Sequence, residues 1–210
     1  MVVALSNGIM VHVHTMSRFI TWMIREGYEE NPGIASGDIF ANNDAFIGTV
    51  QVPDVMDVVP MYWEGRLVGW AGAVCHELES GGITPGGDVC LAQERFTEGL
   101  FVCAEKIGSN DEIRRDDVIR CERNLRMPIY WVLDEKAKVA ACLEIREGVQ
   151  VIIREVGLDY LMQVQKEFIE EGHRPARPRL DGTARIHLPH LRRDPRGRGL
   201  RAGIPGAARV

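Results

Sequence analysis

The chain has 210 residues, of which 45% are hydrophobic, and this is enough for a packed core and excludes a chain that is disordered throughout. Its net charge is -5, which would argue against a nucleic-acid protein if the charge were spread evenly. The charge is uneven, because residues 173–210 carry +8 and the residues before them carry -13. We therefore predict two parts, a folded domain over residues 1–172 and a tail over residues 173–210.

The five cysteines predict neither a disulfide framework nor a zinc ribbon. Their number is odd and no two of them form a CxxC pair, a pattern that is typical of reduced thiols and favours a cytoplasmic protein. No apolar run approaches the roughly 20 residues of a membrane span. The N-terminus also lacks the basic segment that begins a signal peptide. We expect no association with a membrane.

The first predicted elements are a short extended piece and a helix. Residues 5–14 are predicted to be extended, with a turn at residues 7–8. An extended chain places His12 and His14 on the same side, so they form a candidate ligand pair, although exposed strand histidines are the commoner case. Residues 16–30 repeat apolar side chains at helical spacing, which predicts an amphipathic helix.

A strand-rich region follows. A short apolar strand is predicted at residues 38–40, and residues 55–63 and 66–76 are β-rich runs that flank Glu64-Gly65, the clearest hairpin signal in the chain. Both runs are almost continuously apolar, so we expect both faces of the hairpin to be covered. A further short strand is predicted at residues 100–102.

The second half of the folded part is helical in pattern. Residues 130–156 and 158–171 repeat apolar side chains on either side of Gly157, which predicts two helices or one bent helix. Lys136 and Lys138 lie among acidic residues and are interpreted as a solvated face. Together these elements predict an α+β fold, with a mostly antiparallel β core, one helix before it and long helices after it.

The tail over residues 173–210 differs in kind. It holds ten Arg, five of the ten Pro, no Lys and no aromatic residue, so burial cannot offset its ordering entropy and we predict disorder. One interpretation is an Arg-rich arm for RNA. The other, which we favour, is translation of a GC-rich gene in a wrong reading frame, because Arg, Pro, Gly and Ala have GC-rich codons. A nucleic-acid partner is therefore not expected.

Acidic and imidazole side chains lie where the predicted strands end. Asp44, Asp54 and His76 lie at such ends, and this ligand set suits Mn, Zn or Fe better than Ca. The alternative is that the two acids cap turns and that His76 is a satisfied core histidine. The loop at residues 81–87, GGITPGG, lacks the GK[ST] of a phosphate-binding loop and predicts an ordinary loop.

The order of these pieces is more specific than any one of them. It runs GDIFANNDAFIGT at 37–49, VPDV at 52–55 and VVPMYWEGRLVGWAGAVCHELESGGITPGG at 58–87. This succession resembles the hydantoinase B family, which includes 5-oxoprolinase-type subunits, N-methylhydantoinase and the alpha-type subunits of acetone and acetophenone carboxylases. The resemblance continues to Gly172, and its second half is most similar to the carboxylase branch.

The resemblance implies ATP-dependent hydrolysis of a cyclic amide, such as hydantoin or oxoproline, or ATP-dependent carboxylation of a ketone. It also implies a partner subunit of the hydantoinase A type that binds ATP, and a divalent metal in the carboxylases. By position, Asp54 matches the acid of the family's TH-PD motif, and His76 matches the His that closes the second strand. Asp44 matches the acid of the NDP motif. These three are the candidate metal ligands, and no catalytic residue is assigned.

The chain also departs from the family pattern. Gln51 stands where TH-PD has its His, Ala45 where NDP has its Pro, and Glu79 where the family has Asp before the two glycines. Family subunits are several times longer, and the pattern stops at Gly172. We therefore expect a truncated or frameshifted fragment of a hetero-oligomeric enzyme that is inactive alone. The alternative is a non-catalytic interaction module that has lost its metal site, which Gln51 supports.

Overall fold

A computed structural model describes residues 12, 14–87, 91–183, 191–193 and 200–202, with side chains described as far as residue 171. The turn predicted at residues 7–8 and most of the predicted extended piece lie outside these residues. The chain divides into two compact units, Met1–Leu161 and Met162–Val210. In the described part of the chain, none of the helices combines the length and the apolar character that crossing a membrane requires.

The first unit contains one antiparallel sheet of five strands. The strands are β1 (Ile39–Asn42), β2 (Asp54–Trp63), β3 (Arg66–His76), β4 (Glu105–Ser109) and β5 (Glu112–Ile113). They are arranged in the order β3-β2-β1-β4-β5, and each neighbouring pair is antiparallel. Together with the helices, this sheet confirms the predicted α+β fold with an antiparallel core.

Strands β2 and β3 form the predicted hairpin around Glu64 and Gly65. These two residues have φ values of 48° and 77°, and positive φ at both central positions gives a turn whose twist matches that of the strands. The turn sets the pairing of Trp63 with Arg66, and a one-residue irregularity between Met61 and Tyr62 then shifts the register. As a result, Asp54 lies opposite His76 at the far end of the hairpin.

Two helices, α1 (Thr15–Arg25) and α3 (Pro128–Val156), pack against opposite faces of the sheet. The other described α-helices are α2 (Arg115–Asn124) and α4 (Leu158–Thr183). Successive side chains of a strand point to opposite faces, and in β2 Val58 packs with Phe19 of α1. Its neighbour Val59 belongs to a second apolar cluster with Trp131 of α3. The two faces of the sheet are called the α1 face and the α3 face, and the expectation that both are covered is confirmed.

The segment predicted as a strand at residues 100–102 is not a strand, and β4 begins later. The side chain of Asn43 makes the hydrogen bonds that a neighbouring strand would otherwise supply. Its Nδ2 donates to the Leu100 carbonyl at 2.8 Å, and its Oδ1 accepts from the Val102 N–H at 2.7 Å. Because a side-chain amide satisfies these backbone groups, the segment needs no β ladder.

Gly157 separates α3 from α4, as predicted for two helices. Its φ is 84°, in the left-handed region that favours glycine at a helix end. Helix α4 runs on to Thr183, and two short strands, β6 (Leu191–Arg193) and β7 (Leu200–Ala202), pair antiparallel. Disorder is predicted for the whole tail over residues 173–210. Of these residues, 173–183 lie in α4 and six lie in β6 and β7, and the others lie outside the described part of the chain.

Candidate metal centre

Two of the three predicted metal ligands meet at the open end of the β2–β3 hairpin. Nδ1 of His76 lies 2.9 Å from Oδ1 of Asp54. The Asp54 side chain is 5% exposed, whereas that of His76 is 48% exposed. His76 is therefore not a buried core histidine, and the pair combines a fixed carboxylate with an imidazole that solvent can reach.

Gln51 lies in contact with the exposed member of this pair, His76. Its Nε2 lies 3.2 Å from Nδ1 of His76, at the position where the resemblance expects an imidazole. A side-chain amide is a weaker ligand than imidazole for a transition metal. The substitution therefore lies in contact with the candidate ligands and not at a remote position.

His12 approaches Asp54 from the α1 side. Its Nε2 lies 4.0 Å from Oδ2 of Asp54, and its side chain is 13% exposed. Nδ1 of His12 is buried and has no hydrogen-bond partner among the described residues. His14, its predicted companion, is exposed. His12 thus faces the Asp54–His76 pair without His14.

Neither His12 nor His14 lies in a strand. His12 lies in a helical turn, and Thr15 Oγ1 donates to the His12 carbonyl at 2.8 Å. His14 precedes the first residue of α1. Local hydrogen bonding to the start of α1 replaces the predicted strand here, so the side chains do not alternate as in a strand.

Asp44, the third predicted ligand, forms its hydrogen bonds with residues other than Asp54 and His76. Its Oδ2 accepts from Arg95 at 2.7 Å, and its Oδ1 accepts from the Phe46 N–H at 2.9 Å. The second bond is the turn-capping contact left open as the alternative for this residue. Its role as a metal ligand stays a prediction, which a substitution can test.

The glycine-rich loop packs against His76. A Cβ added at Gly87 would lie 3.1 Å from Nε2 of His76 and 2.9 Å from the Glu77 carbonyl oxygen. Only glycine gives such a close approach without displacing a neighbour. Glu79, at the start of this loop, accepts from the Gly81 N–H at 2.6 Å and from Arg126 at 2.6 Å. This carboxylate therefore anchors the loop.

A second polar cluster lies on the α3 face, around Lys138. The interpretation of Lys138 as part of a solvated face is wrong, because it is 4% exposed. Its Nζ lies 2.9 Å from Glu135 Oε1, 3.1 Å from Glu77 Oε1 and 3.7 Å from Asp57 Oδ1. Lys136, which was given the same interpretation, is exposed. Three buried carboxylates thus surround one buried ammonium group.

Burial and the neighbouring charges shift the pKa values of the groups in this cluster. Burial, with the charge of Glu135, raises the pKa of Asp57 well above its usual range. Burial likewise raises the pKa of Glu77 to about 8. Burial alone would lower the pKa of Lys138, but Asp57, Glu135 and Glu77 outweigh it and raise that pKa. The ammonium group therefore stays charged at neutral pH, and protons in this cluster reside on carboxylates.

The comparisons with known proteins agree with the motifs and the fold. A family model described as hydantoinase B/oxoprolinase matches residues 1–195. The acetone carboxylase alpha subunit of Xanthobacter autotrophicus is 38% identical over 167 residues, which cover 80% of this chain and 22% of the relative. The acetophenone carboxylase delta subunit of Aromatoleum aromaticum is 34% identical over 145 residues, which cover 69% of this chain and 21% of the relative.

A solved structure shows the same likeness. The nucleotide-free structure of acetone carboxylase, which catalyses ATP-dependent acetone carboxylation, is similar to this chain. The two superpose with a TM-score of 0.76 at 37% sequence identity. The match covers 80% of this chain and 22% of that chain. The present chain therefore spans about a fifth of the length of these relatives, and the resemblance to the carboxylase branch is confirmed.

Proposed function

We propose that this chain, which belongs to the hydantoinase B/oxoprolinase family, serves as a segment of an ATP-dependent enzyme subunit of the acetone carboxylase type. The reaction is carboxylation of a ketone or, as in the hydantoinase branch, hydrolysis of a cyclic amide. A hydantoinase A-type partner binds ATP in the hetero-oligomer. The 38% identity to a carboxylase alpha subunit supports the first reaction.

Asp54 and His76 are proposed to hold a divalent metal of the Mn, Zn or Fe type, with His12 within reach of the same carboxylate. The residues fit such an ion, because carboxylate and imidazole donors converge and Nδ1 of His12 has no hydrogen-bond partner in the described part of the chain. A metal bound there would supply Lewis-acid polarisation of a carbonyl group.

The protein's own contribution is to fix these donors in place. The hairpin register holds Asp54 opposite His76, and Thr49 Oγ1 donates to the Asp54 carbonyl at 2.7 Å. Gly87 brings the loop close to the imidazole. These contacts orient the carboxylate and the imidazole before any ligand arrives, which lowers the cost of binding.

The observation that carries the proposal is the 2.9 Å contact between Asp54 and His76, and Mn²⁺ binding tests it. We expect the chain to bind Mn²⁺, followed by the loss of the free Mn²⁺ signal in electron paramagnetic resonance. Asp54→Asn and His76→Gln should each weaken binding by roughly tenfold or more. Asp44→Asn tests the third predicted ligand, and we expect it to leave Mn²⁺ binding unchanged, because Asp44 is held by Arg95. Equal losses in all three variants would overturn this assignment of ligands.

A second experiment tests the need for a partner. The chain alone is expected neither to hydrolyse ATP nor to consume acetone, hydantoin or oxoproline. Turnover should require the remainder of a family subunit together with a hydantoinase A-type subunit. Turnover by the isolated chain would contradict the proposal, whereas the substrate that supports turnover in the assembled enzyme would identify the reaction.

The second candidate function is a non-catalytic interaction module. Gln51, in contact with His76 where the family has an imidazole, favours it. The two candidates differ in metal content. Stoichiometric Mn, Zn or Fe that depends on Asp54 supports the enzyme segment, whereas a purified chain that holds none and binds none supports the module.

A further inference from the structure

A second set of metal-type ligands lies on the opposite face of the hairpin from the Asp54–His76 pair. Cys75 precedes His76 and Glu77 follows it, so side-chain alternation directs both away from the imidazole. The contact of Glu77 with Lys138 of α3 shows that this is the α3 face. Asp134 of α3 joins them, and one ligand atom from each of Cys75, Glu77 and Asp134 lies within 4.8 Å of the others.

One carboxylate oxygen of these ligands has no hydrogen-bond partner in the described part of the chain. Glu77 is 1% exposed, and its Oε1 accepts from Lys138 at 3.1 Å. Its Oε2 is buried and has no hydrogen-bond partner among the residues that the structure describes. A buried carboxylate oxygen without a partner is costly, and it marks a position where a cation would bind.

The surrounding charge points in the same direction. The buried carboxylates of Asp57, Glu77 and Glu135 are all 5% exposed or less and face the single ammonium group of Lys138. The cluster is therefore short of positive charge unless it takes up protons or a cation. A cation beside Glu77 would neutralise the negative charge that the ammonium group of Lys138 does not balance.

We propose that Cys75, Glu77 and Asp134 form a binding site for a divalent ion of the zinc class. One thiolate and two carboxylates suit Zn²⁺ and Co²⁺, whereas Mg²⁺ and Ca²⁺ prefer oxygen ligands alone. As the ion binds, the Cys75 S–H proton is released to solvent and the thiolate takes its place as a ligand. Three protein ligands leave one tetrahedral position for water or a further ligand. This site is independent of the Asp54–His76 centre.

Co²⁺ is the probe that tests this site, because a thiolate bound to Co²⁺ gives a sulfur-to-metal charge-transfer band in the near ultraviolet. We expect the full chain to develop this band at one equivalent of Co²⁺ and to lose it when Zn²⁺ is added. Cys75→Ser should abolish the band. Cys103→Ser is the matched control, because that thiol lies beside Asp44, and it should leave the band unchanged.

Two further variants make the outcome decisive. Asp134→Asn changes a half-exposed side chain, so it keeps the fold and should weaken Co²⁺ binding at least about tenfold. Asp54→Asn should leave the band intact, which separates this site from the Mn²⁺ centre. A band that survives Cys75→Ser, or the absence of any band at saturating Co²⁺ in the parent chain, would overturn the proposal even where Mn²⁺ binding succeeds.

Discussion

The polar groups on the two faces of the β2–β3 hairpin differ in their exposure to solvent. On the α1 face, Asp54 meets His76 at the end of the strands, where the imidazole is half exposed. On the α3 face, Asp57 and Glu77 are enclosed with Lys138 beneath α3. Neighbouring residues in sequence, such as His76 and Glu77, therefore experience different surroundings. Their chemistry follows from the face they occupy, since burial governs which protonation state is stable.

The largest expected effect comes from removing the charge at the centre of the α3 face. Lys138→Met leaves Asp57, Glu77 and Glu135 without a counter-charge, and breaking a buried ion pair in this way costs about 3–5 kcal/mol. Urea denaturation at pH 8 measures the free energy of unfolding. Lys136→Met is the matched control two residues away, and because Lys136 is exposed, it should change stability by about 0.5 kcal/mol or less. Equal effects would show that Lys138 is solvated after all.

The next effect is a dependence of stability on pH that arises from Glu77. Burial raises the pKa of this carboxyl to about 8 in the folded chain, against about 4.3 when unfolded. Between these values the folded state holds the proton more tightly, so the free energy of unfolding falls as pH rises and levels off above pH 8. Glu77→Gln should remove the part of this fall that Glu77 causes, which is roughly 3–4 kcal/mol between pH 5 and pH 8.

Denaturation with urea at pH 5, 6, 7 and 8 in the presence of a chelator measures this difference. The chelator keeps metal from replacing the proton on Glu77. The control is Glu144→Gln, which changes an exposed carboxylate of the same helix α3 that holds Lys138. A Glu77→Gln variant whose stability falls with pH as steeply as that of the parent chain would contradict the assignment to Glu77.

The hairpin could be predicted from local signals, and the Asp54–His76 pair from the family resemblance. Glu64-Gly65 is a strong turn dipeptide between two β-rich runs, and it sets the register next to the turn. The one-residue shift between Met61 and Tyr62, which brings His76 opposite Asp54, gives no such local signal. The family resemblance then selected Asp54 and His76, which the structure brings together. The contact of His12 with Asp54 could not be predicted in this way, because it depends on how α1 packs against the sheet.

The cluster around Lys138 was missed because its charges are scattered through the sequence. Asp57 lies in β2, Glu77 just after β3, and Lys138 in α3, and each acid taken alone is typical of an exposed position. A signal was nevertheless present. Glu135 and Lys138 share a helical stripe with buried apolar residues of α3, namely Trp131, Val139 and Cys142. The spacing of that stripe places both charged residues on the buried face.

On the α1 face, a smaller effect is expected from restoring the family residue at position 51. The amide Nε2 of Gln51 lies 3.2 Å from Nδ1 of His76. Gln51→His therefore puts a second imidazole beside His76. Imidazole is the better ligand for a transition metal, so Mn²⁺ affinity should rise about tenfold, or ~1.4 kcal/mol. The Mn²⁺ titration checks this, and Gln51→Asn, which keeps an amide, should not raise the affinity. No gain with His would favour the non-catalytic module.

The smallest expected effect tests how far the α1 face extends. His12 lies 4.0 Å from Asp54, farther than a direct hydrogen bond, so it supports the carboxylate less than His76 does. His12→Gln should therefore lower Mn²⁺ affinity by about threefold, or ~0.7 kcal/mol, whereas His14→Gln should leave it unchanged because His14 is exposed. If His12→Gln weakens binding as strongly as His76→Gln, His12 is a direct ligand that moves onto the metal, and it supplies the imidazole that Gln51 does not.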